Sequence, residues 1–295
     1  MILDYQKFCQ QHVDDALEQL LKAPSTELQR LYAAMHYSVM NGGKRVRPLL
    51  VFASCQTLGG AIQQAYGAAC AVELIHAYSL VHDDLPAMDD DDIRRGQPTT
   101  HKAFDEAYAV LAGDALQSLA FYALGDEALS PISCQQRLEM LKVLSAAAGA
   151  SGMVGGQAID LSSVGQSISQ TTLELMHRHK TGALIQASVR LGAIASNHAT
   201  PQALDALDNY AQAIGLAFQV QDDILDVTSD TQTLGKQQGS DIEHDKPTYP
   251  ALLGLKQAQD YAYELRDQAQ EALASFDQRA NHLRQLADYI VSRSH

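Results

Sequence analysis

Two short runs of aspartate carry the clearest capacity for chemistry in this sequence. The first, Asp83-Asp84-Leu85-Pro86-Ala87-Met88-Asp89-Asp90-Asp91-Asp92, sets six carboxylates after an apolar stretch, and a cation must hold them there if they face inward. The second is Gln221-Asp222-Asp223-Ile224-Leu225-Asp226. On a helix, Asp222 and Asp226 stand four residues apart and so share one face, within reach of the same ions. Oxygen donors without a His or Cys ligand pattern suit Mg²⁺ or Ca²⁺ rather than zinc, and Mg²⁺ usually keeps waters and borrows further ligands from a substrate phosphate. Two separate clusters therefore point to a metal-bridged diphosphate between two helices. The calcium-loop pattern fails, because no glycine follows at the required spacing. For the first run, a solvated acidic helix end is an equal competitor. For the second it is weaker, since Phe218, Val220, Ile224, Leu225 and Val227 flank the carboxylates and would be poorly placed in water.

A diphosphate also needs cations other than metal. Gly42-Gly43-Lys44-Arg45-Val46-Arg47-Pro48, Ile93-Arg94-Arg95-Gly96 and Lys180-Thr181-Gly182 supply them, and Arg offers a planar fork that matches phosphate oxygens. Pro48 fits the first turn of a helix, which places Lys44 and Arg47 at its mouth. Arg94 and Arg95 have a second reading, as local neutralisers of the preceding aspartates. Lys180 reads as a helix-interior lysine, costly to bury without an anion. His76, between Ile75 and Ala77, is by itself more often a hydrogen-bonded core histidine than a ligand, and His177 and His179 read as structural. The stretch Leu234 to Pro247, with Lys236 and Lys246, is glycine-flanked and polar; it reads either as a loop that closes over bound diphosphate or as a simple solvated loop.

In order along the chain, Asp83-Asp84-x4-Asp89 and Asp222-Asp223-x2-Asp226 resemble the two aspartate-rich motifs of the trans-isoprenyl diphosphate synthases. The resemblance extends to the Gly42–Pro48 and Ile93–Gly96 motifs, to Lys180-Thr181-Gly182-Ala183-Leu184 and to Phe218-Gln219-Val220-Gln221. It covers essentially the whole chain and is close to the bacterial, farnesyl-producing members. What it implies is an isoprenoid-synthase helical bundle with a central cavity, Mg²⁺ as cofactor, and condensation of isopentenyl diphosphate with dimethylallyl or geranyl diphosphate through an allylic cation. By the same likeness, Asp83, Asp89, Asp222 and Asp226 hold metal, with Asp84 as a supporting carboxylate. Lys44, Arg47, His76 and Arg95 bind isopentenyl diphosphate. Arg94, Lys180, Lys236 and Lys246 hold the allylic diphosphate, and Thr181 and Gln219, with the helix break near Lys180, line its reactive end. Tyr78 stands five residues before Asp83, about 7.5 Å lower along a helix. With its neighbour Ser79, Tyr78 is the expected floor that limits product length, ordinary core packing being the alternative. Pro86 bends the chain inside the x4 spacing, so Asp89 need not stand one turn above Asp83, which leaves Asp90, Asp91 and Asp92 open as ligands. The family also implies a homodimer.

Four other functions compete. A geranylgeranyl synthase differs only in product length. A terpene cyclase shares the ionisation but has no need of Lys44, Arg47, His76 and Arg95. A non-catalytic regulatory subunit is expected to lose one aspartate motif, and both are intact. An acidic metal-buffering protein would bind Mg²⁺ without diphosphate.

These residues need rigid supports, and the hydrophobic pattern is helical. Apolar residues recur on nearly every side of Ala65 to His82, as in a buried helix. Similar readings cover Leu28 to Met40, Ala107 to Leu124, Gln136 to Met153, Thr172 to Ala195, Pro201 to Val227 and Thr248 to Phe276, punctuated by short glycine and proline signals. No segment alternates long enough to demand a strand and no linker divides the chain, so it reads as one all-α, single-domain bundle over 1–295. Tryptophan is absent and aromatics are 6%, which favours packing through small residues. The net charge of −14 argues against nucleic acid as a partner, yet leaves room for a local anion site. Cys9, Cys55, Cys70 and Cys134 are widely spaced without a zinc pattern, as in a reduced intracellular chain. The N-terminus lacks the apolar core of a secretory signal, and no uninterrupted apolar stretch reads as long enough to span a bilayer. The expectation is a cytoplasmic protein without stable membrane insertion.

Overall fold

The computed structural model describes residues 2–166, 168–228 and 248–293. Its helices are α1 (Ile2–Leu20), α2 (Gln29–Met40), α3 (Val46–Thr57), α4 (Tyr66–Asp83), α5 (Thr100–Ala103), α6 (Glu106–Gly125), α7 (Cys134–Ala148), α8 (Met153–Ser163), α9 (Gln170–His177), α10 (Ala183–Ala195), α11 (Pro201–Thr228), α12 (Tyr249–Leu253), α13 (Leu255–Ala272) and α14 (Asn281–Ser292). A two-residue hairpin, β1 (Ile93–Arg94) with β2 (Gln97–Pro98), is the extended pairing among the described residues. The all-α expectation is met.

Helix α4 is apolar all round and lies at the centre, packed against α1, α2, α3, α6 and α10, with Leu74 and Ile75 fully buried. Small residues let its neighbours approach closely. A Cβ on Gly192 of α10 would lie 2.1 Å from the Val51 carbonyl oxygen of α3, and the same pair of helices is tied by Ser54 Oγ donating to the Val189 carbonyl at 2.7 Å. The hydrophobic core runs from Tyr5 and Leu17 of α1 through Phe52, Leu116 and Tyr210 to Leu283 and Ile290 of α14.

Several boundaries differ from the sequence reading, each for a local reason. The single helix expected over Gln136 to Met153 is two: α7 ends at Ala148, and α8 starts after Gly149 to Gly152. The start of α7 is a capping box, Ser133-x-x-Gln136, in which the Gln136 amide donates to Ser133 Oγ and the Ser133 amide to Gln136 Oε1. Thr248 to Phe276 divides at Gly254, whose φ of 82° a side chain would strain. The break expected near Lys180 is a π-helical turn over Arg178–Gly182 that joins α9 to α10 without interrupting them. The terminal helices α1 and α14 were not anticipated.

Helix α6 also departs from expectation. It is 20 residues long and, by length and composition alone, apolar enough to cross a membrane. One side packs on α4, while Val110, Leu111 and Tyr122 are exposed.

Candidate active site

The first aspartate run begins where α4 ends, and Pro86 explains its spacing. The chain turns back over Leu85 to Met88, and the Asp89 amide donates to the Asp83 carbonyl at 3.0 Å, so Asp89 returns to the helix end instead of continuing it. Asp84 is buried and engaged by Arg94, whose Nε and Nη2 reach its Oδ1 at 2.7 and 2.5 Å. Arg94 arrives on β1, and the hairpin turn Arg95-Gly96 has positive φ at both residues, as tight two-residue turns require. That turn sends Arg94 back to Asp84 and the adjacent Arg95 elsewhere, to Asn41 Oδ1 at 3.1 Å and to the Gly42 carbonyl. Neutralisation of an aspartate therefore holds for Arg94 and not for Arg95.

Helix α8 links the first run to Lys180 through two residues that the sequence reading missed. Gln157 donates through Nε2 to Asp83 Oδ1, and Asp160 accepts Lys180 Nζ at 2.6 Å. The anion demanded by the partly buried Lys180 is thus Asp160 of this chain. Their spacing, a Gln and an Asp three residues apart after Gly155-Gly156, puts both on one helix face, and that was the available signal. Gly156 packs directly on the π turn: a Cβ there would sit 2.1 Å from the Lys180 backbone nitrogen. Within the turn, Thr181 Oγ1 donates to Gln219 Oε1 at 3.1 Å, and Gln219 Nε2 donates to Asp223 Oδ1 at 3.1 Å, which fixes the orientation of the Gln219 amide. His177, left as structural, is buried at the end of α9 and stacks on Tyr249 with ring centroids 5.6 Å apart; burial pushes its pKa down to about 3, so it is neutral. His179 pairs through Nδ1 with the Ser151 carbonyl at 3.0 Å.

Lys44, Arg47, His76 and Arg95 come together in one cavity of about 520 Å³, whose wall also includes Glu73, Phe218 and Arg293. Glycines shape its rim. Gly42 and Gly43 have φ of 97° and 128°, and a Cβ on Gly43 would lie 2.7 Å from Arg95 Nη1. The pocket is crowded with positive charge. Arg47 Nε is buried with no hydrogen-bond partner among the described residues, and burial, opposed by Glu73 and reinforced by Arg95, draws its pKa below the ordinary value. Lys44 is drawn down by burial and by Arg293. His76 is held well below its usual pKa by burial and by Arg47 and Arg95, so it meets a ligand as neutral imidazole. Arg293, beyond the end of α14, was also missed. It pairs with Asp222 Oδ1 at 2.5 Å and lies 4.1 Å over the Phe218 ring, a contact between sequence-distant residues.

Asp222 and Asp226 stand four residues apart on α11, as expected, but differ in exposure. Asp222 is partly exposed beside the cation pocket, whereas Asp226 is buried. Asp223, between them, is buried and accepts the Tyr249 amide at 3.0 Å, so it anchors α12 to α11. Of the flanking apolar residues, Val220, Ile224 and Leu225 are buried but Val227 is exposed. Tyr78 is buried one turn and a half below Asp83 and packs edge-on against His82 at 5.6 Å; His82 in turn sits against Gly113 of α6, where a Cβ would be 2.1 Å from its Nε2. Ser79 donates to the His76 carbonyl of the same helix at 2.8 Å. Lys236 and Lys246 lie outside the described residues.

The carboxylates fit an oxygen-liganded divalent ion in chemistry, although no group of three ionisable ligand side chains among the described residues gathers into a cage. A family model described as polyprenyl synthetase matches residues 28–290. Farnesyl diphosphate synthase of Escherichia coli is 49% identical over 289 residues, with 97% of each chain covered. Farnesyl diphosphate synthase of Haemophilus influenzae is 52% identical over 266 residues, covering 89% of this chain and 88% of its own. Among solved structures, an FPP/GFPP synthase from Zymomonas mobilis superposes with a TM-score of 0.87 at 40% identity, over 99% of this chain and 100% of the other. With the match running through both aspartate runs, the π turn and the cation pocket, the chain belongs to the polyprenyl synthetase family.

Proposed function

We propose that this protein is a farnesyl diphosphate synthase that condenses isopentenyl diphosphate with dimethylallyl and then geranyl diphosphate. The observation that carries the reading is the cavity in which Lys44, Arg47, His76 and Arg95 converge, with Asp222 at its edge. A terpene cyclase has no use for this second anion pocket. Asp83, Asp89 and Asp222 would hold Mg²⁺, whose contribution is to neutralise charge on the departing diphosphate. Lys180 and Arg94, held in place by Asp160 and Asp84, would offer preorganised N–H donors to the allylic diphosphate. Thr181 gives its hydroxyl proton to Gln219, so the Oγ1 lone pairs are left to face the allylic cation. The cation pocket holds isopentenyl diphosphate by its phosphates and leaves its double bond to attack. The proton lost afterwards passes to the released diphosphate. Tyr78 closes the apolar end and limits the product to three isoprene units.

Two further readings belong here. Val110, Leu111 and Tyr122 on α6 and Leu138 on α7 are exposed large apolar residues, which supports a homodimer through these helices. The cysteines are all unpaired, in keeping with a reducing cytoplasmic compartment.

Incubation with Mg²⁺, isopentenyl diphosphate and either allylic primer is expected to give farnesyl diphosphate as the dominant product. A longer dominant product would reassign the protein as a geranylgeranyl synthase, and no condensation with either primer would sink the synthase reading. Tyr78→Ala is expected to shift the product distribution to longer chains, because a phenol ring is replaced by space. An unchanged distribution would return Tyr78 to ordinary core packing.

A further inference from the structure

The residue between the two loop cations behaves unlike either. Lys44, Arg45 and Arg47 all border the cavity, but the Arg45 side chain is buried and its guanidinium is spent within the protein: Nε donates to Asp14 Oδ1 at 2.8 Å, Nη1 to Glu73 Oε1 at 2.7 Å and Nη2 to the Val39 carbonyl at 2.8 Å. Those three partners belong to α1, α4 and α2. Arg45 also adopts left-handed backbone angles, φ 48° and ψ 39°, which a side chain other than glycine holds only where its surroundings over-determine it. Helix α1 takes a second grip one residue earlier, through Gln6 Nε2 to the Lys44 carbonyl at 2.8 Å. Glu73 is the single carboxylate among the residues that line the cavity, and it is engaged by Arg45 at the base of the cation set.

We propose that Arg45, Asp14 and Glu73 form a positioning frame for the isopentenyl-side anion pocket. Arg45 touches no substrate. It locks the turn between α2 and α3 so that Lys44, one residue before it, and Arg47, two residues after it, converge on one diphosphate. The frame rests on the functional reading of the pocket given above, but its geometry is independent of the allylic side. Asp14 is the informative position, because it lies on α1 outside the cavity lining and can act on a ligand only through Arg45.

The test measures binding of inorganic pyrophosphate by calorimetry without metal, and KM for isopentenyl and geranyl diphosphates with kcat, in Asp14→Asn, Arg45→Lys and the double variant. Asp14→Asn is expected to raise the pyrophosphate Kd and the isopentenyl KM by about tenfold, by misplacing the cations, with kcat and the geranyl KM within about twofold. Arg45→Lys should move the same quantities further, since an ammonium cannot reproduce the three-way fork. The double variant should be no worse than Arg45→Lys alone, because both act through one contact. Equal shifts in both KM values, a fall in thermal stability alone, or additive effects would overturn the frame. Failure of the unmodified protein to bind pyrophosphate would overturn the pocket and the frame together, whereas unshifted binding in the variants would overturn the frame only.

Discussion

An Asp83→Ala variant is expected to turn over about 100-fold more slowly than the unmodified protein, or worse, while its melting temperature changes little. The two halves of that expectation have separate causes. Asp83 is the last residue of α4, where the helix dipole presents its negative end. A carboxylate there is disfavoured, by about 0.3–1 kcal/mol at an exposed position, unless a cation faces it. The side chain is only partly buried, accepts Gln157 Nε2 and lies in the field of Arg94, which pairs closely with Asp84 instead, so its removal takes little from the fold. Its value lies in the reaction, where charge accumulates on a departing diphosphate. Turnover at saturating substrate and a thermal melt on the same preparation decide the matter. A loss smaller than about tenfold would remove Asp83 from the metal-holding set, since single electrostatic groups of this kind are usually worth more.

The second large effect is expected at a residue with no side chain at all. In Gly156→Ala the new methyl would fall 2.1 Å from the Lys180 nitrogen, 2.4 Å from its Cα and 2.7 Å from the His179 carbonyl carbon. All three are backbone atoms of the π turn, so no rotamer change relieves the clash, and α8 must part from the turn. The Lys180–Asp160 ion pair spans those two elements, and Thr181 is the next residue. Overpacking of this kind costs about 1–3 kcal/mol of stability. Displacement of Lys180 and Thr181 by even about 1 Å is expected to lower turnover by about 100-fold. Gly125→Ala is the control, because a Cβ there meets nothing within 4 Å. Near-normal turnover in Gly156→Ala would mean that the exact seat of the π turn does not matter to the chemistry.

Both predictions join a site residue that was legible in the sequence to a support that was not. The aspartate runs could be found because their chemistry is local: carboxylates clustered beside apolar residues need an explanation whatever the fold. The basic motifs were legible for the same reason. Gln157, Asp160 and Arg293 were not singled out, because a lone Gln, Asp or Arg on an amphipathic helix is ordinary until its partner is known. Those partners, Asp83, Lys180 and Asp222, are distant in sequence and meet only through helix packing. Helix boundaries show the same division. The buried α4 was read to within a residue from its unbroken apolar pattern, whereas the α7–α8 break depends on glycines whose conformations the pattern does not report.

By itself, then, the sequence determined the helical class, the two carboxylate runs, the cation motifs and the turn at Pro86, because each follows from residue type and short-range spacing. Only the tertiary structure decided how those groups are shared out. It gave Arg94 to Asp84 and Arg95 to the cavity, buried Asp226 while leaving Asp222 partly exposed, and tied Arg45 to Asp14 and Glu73. The physical reason is that charge and hydrogen-bonding capacity belong to the residue, but the partner that satisfies them is chosen by how the helices pack.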